Sequence, residues 1–134
     1  MRGFGFIEHV ARADLDAFIA RERADNAPQF ALRQLNDKTH DDFYIIARLE
    51  PAANNQGVHG LDLGSEAVRR EGLQRAVDSG TPAITRAITL VQDQRKTPGI
   101  LLFVPVYQTG APTGTVAERR AALLGLMYSP IVVN

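Results

Sequence analysis

Apolar residues fall at helical spacing in two stretches of this chain and at strand-like density in several others. Between Ala11 and Arg23, Ala11, Leu15, Phe18 and Ile19 share one helical face, while Arg12, Asp16, Ala20 and Arg23 lie off it. That pattern predicts a surface helix. Ala27-Pro28 ends it, because proline cannot continue a helix and biases its predecessor away from the α region. A strand is expected next, over about Gln29 to Leu35, with Phe30 and Leu32 on one face. Phe43 to Leu49 is almost continuously apolar and rich in aromatic and β-branched types, which predicts a strand buried on both sides and central in a sheet. The turn-rich Pro51 to Gly60 stretch closes it.

A second helix is predicted from Glu66 to Ser79, with Ser65 as N-cap, Glu66 in the first turn and Gly80 as terminator. Its buried stripe is Gly72, Leu73, Ala76 and Val77. Arg69 falls inside that stripe, so its guanidinium must either reach water along the edge or meet a buried acid, and the edge is the favoured route. Strands are expected near Ala83 to Thr85, Ile88 to Gln92, Ile100 to Gln108 and Leu123 to Val133. Asp93 to Pro98 reads as a polar hairpin turn, and Thr109 to Arg120 as a Gly/Pro/Thr loop with an Ala-Glu-Arg-Arg tail. The order suggests one sheet flanked by helices, an α+β architecture. The last two long strands would lie side by side and offer a face to a small-molecule cavity.

Within Ile100 to Tyr107, Pro105 lacks the N–H a ladder needs, so a bulge or an edge is expected there. By alternation Leu101, Phe103, Pro105 and Tyr107 share one face, and Ile100, Leu102, Val104 and Val106 the other. Most of these are core. Tyr107 and Tyr128 differ, because a phenol at a cavity wall can orient a polar ligand.

At 134 residues the chain fits one domain, and a domain near this size buries roughly 70% of its unfolded surface. Fifteen basic and fifteen acidic residues cancel, which removes the charge footprint of most nucleic-acid and anionic-membrane binders. Cysteine is absent, excluding disulfides, thiolate catalysis and Cys-ligated zinc. No apolar run is long enough for a membrane span, and Arg2 onwards does not read as a signal peptide. A soluble chain is expected, and its apolar end at Pro130 to Val133 suits a piece of a longer protein.

Arg2-Gly3-Phe4-Gly5-Phe6-Ile7 matches the start of an RNA-binding octamer, but its upstream partner strand is missing and the terminal aromatic is replaced by His9. Phe4 and Phe6 are instead expected to pack near the first helix. His9, His40 and His59, with His40-Asp41-Asp42, lack metal-ligand spacing and are expected in turns and on surfaces. No nucleophile elbow or phosphate-cradling loop occurs, so neither an enzyme nor a cofactor site is expected.

In order along the chain stand Arg12-Ala13-Asp14-Leu15-Asp16-Ala17-Phe18, Glu50-Pro51, Gly60-Leu61-Asp62, Ser65-Glu66 with Arg69-Arg70, Ala76 with Ser79-Gly80, Thr85, and Leu90-Val91. Gly99 to Tyr107, Glu118-Arg119-Arg120, and Gly125, Tyr128 and Pro130 complete the series. Together these resemble a CHASE domain, the cyclase- and histidine-kinase-associated sensory extracellular module. The resemblance implies a PAS-like fold, a sheet of about five antiparallel strands with flanking helices. It implies a periplasmic or extracellular sensing domain of a cytoplasmic-membrane receptor, joined by transmembrane helices to a histidine kinase or nucleotide cyclase, and acting as a homodimer. The ligand would be a small molecule, with Thr85, Phe103, Pro105, Tyr107, Gly125 and Tyr128 as candidate ligand-binding residues. Asp62, Ser65, Arg69 and Arg70 are candidate structural residues, with Asp62 expected to bind turn N–H groups or to pair with Arg69 or Arg70.

Plant members of this family bind cytokinins. The aspartate that anchors the adenine there has no clear counterpart in Leu49-Glu50-Pro51-Ala52-Ala53, and the glycine pair of their last strand is Tyr128-Ser129 here. A different ligand is therefore expected. The competing reading is a protein-interaction or dimerisation module with a filled interior.

Overall fold

A computed structural model of the chain describes residues 3–25, 27–35, 40–50, 58–90 and 98–132. The strands are β1 (Phe4–Ala11), β2 (Arg33–Gln34), β3 (Asp42–Glu50), β4 (Leu61–Asp62), β5 (Ala83–Ile84), β6 (Ile88–Thr89), β7 (Pro98–Tyr107) and β8 (Leu123–Val132). The helices are α1 (Leu15–Ala24), α2 (Ala67–Ser79) and α3 (Val116–Ala122). One sheet runs in the order β2-β4-β3-β1-β8-β7-β5, with β6 also on β7. The α+β architecture is as expected. The sheet of about five antiparallel strands is corrected: eight strands pair among the described residues, and β2 lies parallel to β4. Strands β2, β5 and β6 fall inside predicted strands; the two not predicted are β1 and the two-residue β4, which is too short for alternation to announce it.

The largest departure from the sequence reading is β1. It forms the middle of the sheet, paired antiparallel with β3 on one side and β8 on the other. Phe4 is half exposed and Phe6 borders α1 only across a groove. Glu8 and His9 blur the apolar pattern, and the partners that bury this strand lie more than 30 residues away in sequence. His9 accordingly sits in a strand, not in a turn.

The predicted strand over Gln29 to Leu35 contracts to β2, because Phe30 turns back toward Ala27 and packs edge-on against Phe18 of α1. The predicted first helix starts later, since Ala11 still belongs to β1 and Arg12–Asp14 forms a single 3-10 turn. At the start of α2 the cap is Glu66, whose carboxylate accepts from the N–H groups of Val68 and Arg69. Ser65 is not the cap: its hydroxyl accepts from Leu35 N at 2.7 Å and donates to Asp62 O at 2.7 Å. Gly80 ends α2 in the left-handed region, φ 70°, which a side chain would strain. Thr109 to Arg120 is not all loop, since α3 begins inside it, capped by Thr115 accepting from Glu118 N at 3.1 Å. Thr115-Val116-Ala117-Glu118 is a capping-box pattern that could have announced that helix.

β7 and β8 pair along nearly their whole length. Among the described residues the outer neighbour β5 reaches only as far as Phe103, so Pro105 stands at a free edge where its missing N–H costs nothing. A register irregularity follows at Val106/Tyr107. Of the turn expected over Pro51 to Gly60, the strand expected over Ile88 to Gln92 and the hairpin turn expected over Asp93 to Pro98, positions 51–57, 91–92 and 93–97 lie outside the described residues, and Pro98 already belongs to β7.

Two apolar layers result. On the inner face, α2 buries Leu73, Ala76 and Val77 against Ile7, Ile46, Leu101, Phe103, Leu126 and Tyr128. Gly72 allows this approach, because a Cβ there would stand 2.8 Å from Thr85 Cγ2. On the outer face, Phe18 of α1 and Phe30 cover Val10, Phe43 and Ile45.

Candidate functional site

The inner layer closes over a small void between α2 and the sheet, lined by Ile46, Val58, Leu61, Leu63, Leu90 and Leu101 together with Arg69 and Tyr128. Its volume is about 10 Å³, room for a single water. Arg69 does not take the edge route. It is only 6% exposed and pairs through Nη1 with Glu66, while Nη2 donates to the Thr89 carbonyl at 2.7 Å. Burial of a guanidinium requires such partners, and Glu66, already fixed by the cap, supplies them at no further ordering cost. Burial acts to raise the Glu66 carboxyl, but hydrogen bonds from Val68 and Arg69 outweigh it and hold it below its ordinary range.

Each of the two polar residues that line this void keeps one buried polar atom with no partner among the described residues, Arg69 Nε and the Tyr128 hydroxyl. Burial pushes the Tyr128 phenol up, so it remains a neutral O–H donor at physiological pH. An unpaired buried donor costs about 1–3 kcal/mol. Here two such donors belong to residues that line one apolar space.

The other candidate ligand residues distribute unevenly. Phe103 is fully buried under α2. Thr85 is buried, and its hydroxyl accepts from Leu101 N at 3.0 Å, tying the end of β5 to β7. The Tyr107 hydroxyl donates to Val77 O at 2.7 Å, pinning the strand to the C-terminal half of α2. Pro105 is half-buried opposite Leu126. Gly125 lies on the opposite face, where a Cβ would meet the Phe6 ring and the Ile7 carbonyl. Of the six, only Tyr128 lines the void, where Arg69 joins it.

Asp62 is buried and accepts from Tyr44 N at 2.9 Å and Gly64 N at 3.0 Å, with Gln34 Nε2 at 3.3 Å. Burial raises its carboxyl, and these hydrogen bonds oppose the rise. It therefore joins β3, β4 and the turn into α2. Arg70 turns to Asp42 instead, and its Nη1 donates to Gly64 O at 3.1 Å.

Sequence reasoning did not single out this second cluster. His9 Nε2 lies 2.8 Å from Asp42 Oδ2, and both line a cleft of about 340 Å³ with Tyr44, Arg70, Gln74 and Arg120. The His9 hydrogen bond and the Arg70 guanidinium outweigh burial and lower the Asp42 carboxyl to about 2. The signal was long-range, since β1 and β3 must pair before His9 can meet Asp42. Among the described residues no group of three or more His, Cys, Asp or Glu could hold a metal ion.

The sequence matches the CHASE domain family over residues 1–134, and the protein belongs to that family. CHASE domains are extracellular sensory domains of receptors, so the chain is a sensory unit rather than a catalytic one. A comparison with curated proteins gives no match. Among the described residues no helix is long and apolar enough to cross a membrane.

Proposed function

We propose that this domain senses a small molecule outside the cytoplasmic membrane and passes the signal to the rest of a dimeric transmembrane receptor, with a histidine kinase or nucleotide cyclase as output. The observation that carries the ligand reading is the pair of donors without a partner among the described residues, Arg69 Nε and the Tyr128 hydroxyl, on two residues that line one apolar void. The ligand would present a hydrogen-bond acceptor to both donors and an apolar body to Ile46, Leu63 and Leu101. Because Glu66 already balances the charge of Arg69, a neutral acceptor such as a carbonyl or ring nitrogen suits the site better than a free carboxylate. At about 10 Å³ the void admits only a water-sized group, so a larger ligand requires α2 to move off the sheet. That displacement gives the two states a difference in affinity, which is what a receptor can transmit.

A PAS-like reading is supported by the frame β3-β1-β8-β7-β5, which is antiparallel at every pairing and has α2 across one face.

The test is a thermal-shift panel of purines, amino acids, carboxylates and sugars, run on the wild-type chain and on Tyr128→Phe. A rise for one chemical class that Tyr128→Phe reduces at unchanged basal melting temperature is the expected result. A rise that Tyr128→Phe leaves intact would move the site elsewhere. The small volume of the void favours a second reading, a filled domain that works by protein contact, and a flat panel would select it.

A further inference from the structure

The cleft beside His9 and Asp42 is bordered by α2, α3 and the sheet, and it shares no lining residue with the void. The hydrogen bonding on its walls is lopsided. Both carboxylate oxygens of Asp42 are engaged, one by His9 Nε2 at 2.8 Å and the other by Arg70 Nη2. The buried Tyr44 hydroxyl accepts from Gln74 Nε2 at 2.8 Å. The two guanidiniums on the walls, by contrast, keep N–H groups to spare. Arg70 gives one nitrogen to Asp42 and another to Gly64 O, and Arg120 gives Nε and Nη2 to the Asp78 carboxylate, both at 2.8 Å. A guanidinium carries more donors than these bonds consume, and among the described residues no other group accepts from either arginine.

We propose that this cleft is a second ligand site of the domain, one that takes a small organic monocarboxylate, with the carboxylate on Arg70 and Arg120 and the hydrocarbon part on Val77 and Leu123. Donor surplus is the first argument. The group that completes these walls is an acceptor, and two oxygens held side by side match a guanidinium fork with charge-assisted hydrogen bonds. Size is the second. At about 340 Å³ the cleft stands at the low end of small-molecule sites, which suits a short acid and not an oligomer.

Charge and polarity set the class further. Asp42 balances Arg70 and Asp78 balances Arg120, so a dianion such as phosphate would enter beside the Asp42 carboxylate with little net positive charge to hold it. A single carboxylate brings half that repulsion to the same N–H groups. Val77 and Leu123 form an apolar patch on the wall, which an inorganic anion leaves unmatched and a short hydrocarbon chain covers. The site therefore differs from the void in chemistry as well as in place, since the void suits a neutral acceptor, and neither reading depends on the other.

Titration of the nitrogen-15-labelled 134-residue chain, followed by nuclear magnetic resonance, tests this with acetate, butyrate and lactate as probes and with butyramide and inorganic phosphate for comparison. Saturable shifts at the amides of His9, Gln74 and Leu123 are expected with at least one of the acids, and none with butyramide or phosphate at the same concentrations. Arg120→Gln should weaken that binding about tenfold or more. The Arg120 side chain is 60% exposed, and an exposed ion pair contributes little stability, so this variant keeps its fold. Arg75→Gln, on the other side of α2, and Tyr128→Phe, at the void, should leave the affinity unchanged. The proposal is overturned if none of the three acids produces saturable shifts, if butyramide or phosphate binds as well as they do, or if Arg120→Gln binds like the wild type. Binding that Tyr128→Phe abolishes would place the acid at the void and equally overturn it. A neutral ligand that depends on Tyr128 would stand whatever the acids do, so the two sites fail separately.

Discussion

Phe103 and Val104 are neighbours on β7, yet they belong to different environments. Phe103 is fully buried under α2, while Val104 points away from it and is 37% exposed. The two faces of one strand thus divide the work of the domain. The inner face is packed under α2, with a buried ion pair, a water-sized void and, beside His9 and Asp42, a cleft of about 340 Å³. The outer face is apolar and, among the described residues, is capped by α1 and Phe30 over one half only. The difference teaches that alternation alone makes a strand apolar on both sides, and that the covering elements decide which side becomes core.

The strongest way to sharpen that contrast is to truncate both residues. Phe103→Ala should destabilise by about 3–5 kcal/mol, since it empties a fully buried site that α2 cannot collapse into. Val104→Ala should change monomer stability by less than about 1 kcal/mol. Urea denaturation measures both, and similar losses at the two positions would dissolve the distinction between the faces.

Next in size is the ion pair. Glu66→Gln leaves the Arg69 guanidinium buried without its countercharge and weakens the α2 cap, so a loss of about 2–3 kcal/mol is expected. Arg75→Gln, which breaks the exposed pair with Glu71 on the other side of the same helix, should leave the urea midpoint where it is. Equal effects would mean that Arg69 is more hydrated than its burial implies.

Acid titration probes the inner face at the His9–Asp42–Arg70 cluster. Asp42 is held at about 2, below its ordinary 3.8. A carboxyl depressed on folding contributes stability that is fully present above the unfolded value and lost as pH falls through the folded one. About 2 kcal/mol should therefore disappear between pH ~4 and pH ~2. Asp62 works in the opposite direction, because burial raises its carboxyl and protonation relieves that cost. Asp42→Asn should flatten the acid limb of the stability profile, and a limb as steep as that of the wild type would place the coupling elsewhere.

The smallest expected effect is Tyr128→Phe. Removing a buried hydroxyl with no partner should leave stability unchanged or raise it by up to about 1 kcal/mol. A clear loss of stability in the melting curve would reveal a bound water that satisfies the phenol.

Much of the frame was readable from local pattern. The apolar stripe of α2 at 3.6-residue spacing, its end at Gly80, the strands β7 and β8, and the two-residue alternation within β7 all appear where the sequence placed them. Ser65 was read as the cap because its residue type fits. The structure moved that role to Glu66, as the hydroxyl was already engaged by Leu35 and Asp62. The void was less legible. Tyr128 was singled out as a phenol near a cavity, but Arg69 was expected at the edge, since nothing local says that Thr89 O would lie within reach of it.

By itself, then, the sequence determined the family, the α+β class, the second helix and the last two long strands, because each is written in spacings of a few residues or in motifs kept in order. Tertiary structure alone decided that β1 is central, that His9 meets Asp42, that Gly125 faces away from Tyr128, and that among the described residues α1 and Phe30 cover only half of the outer face. Those outcomes depend on pairings across tens of residues. A single strand carries two candidate faces, and only its neighbours fix which one is buried.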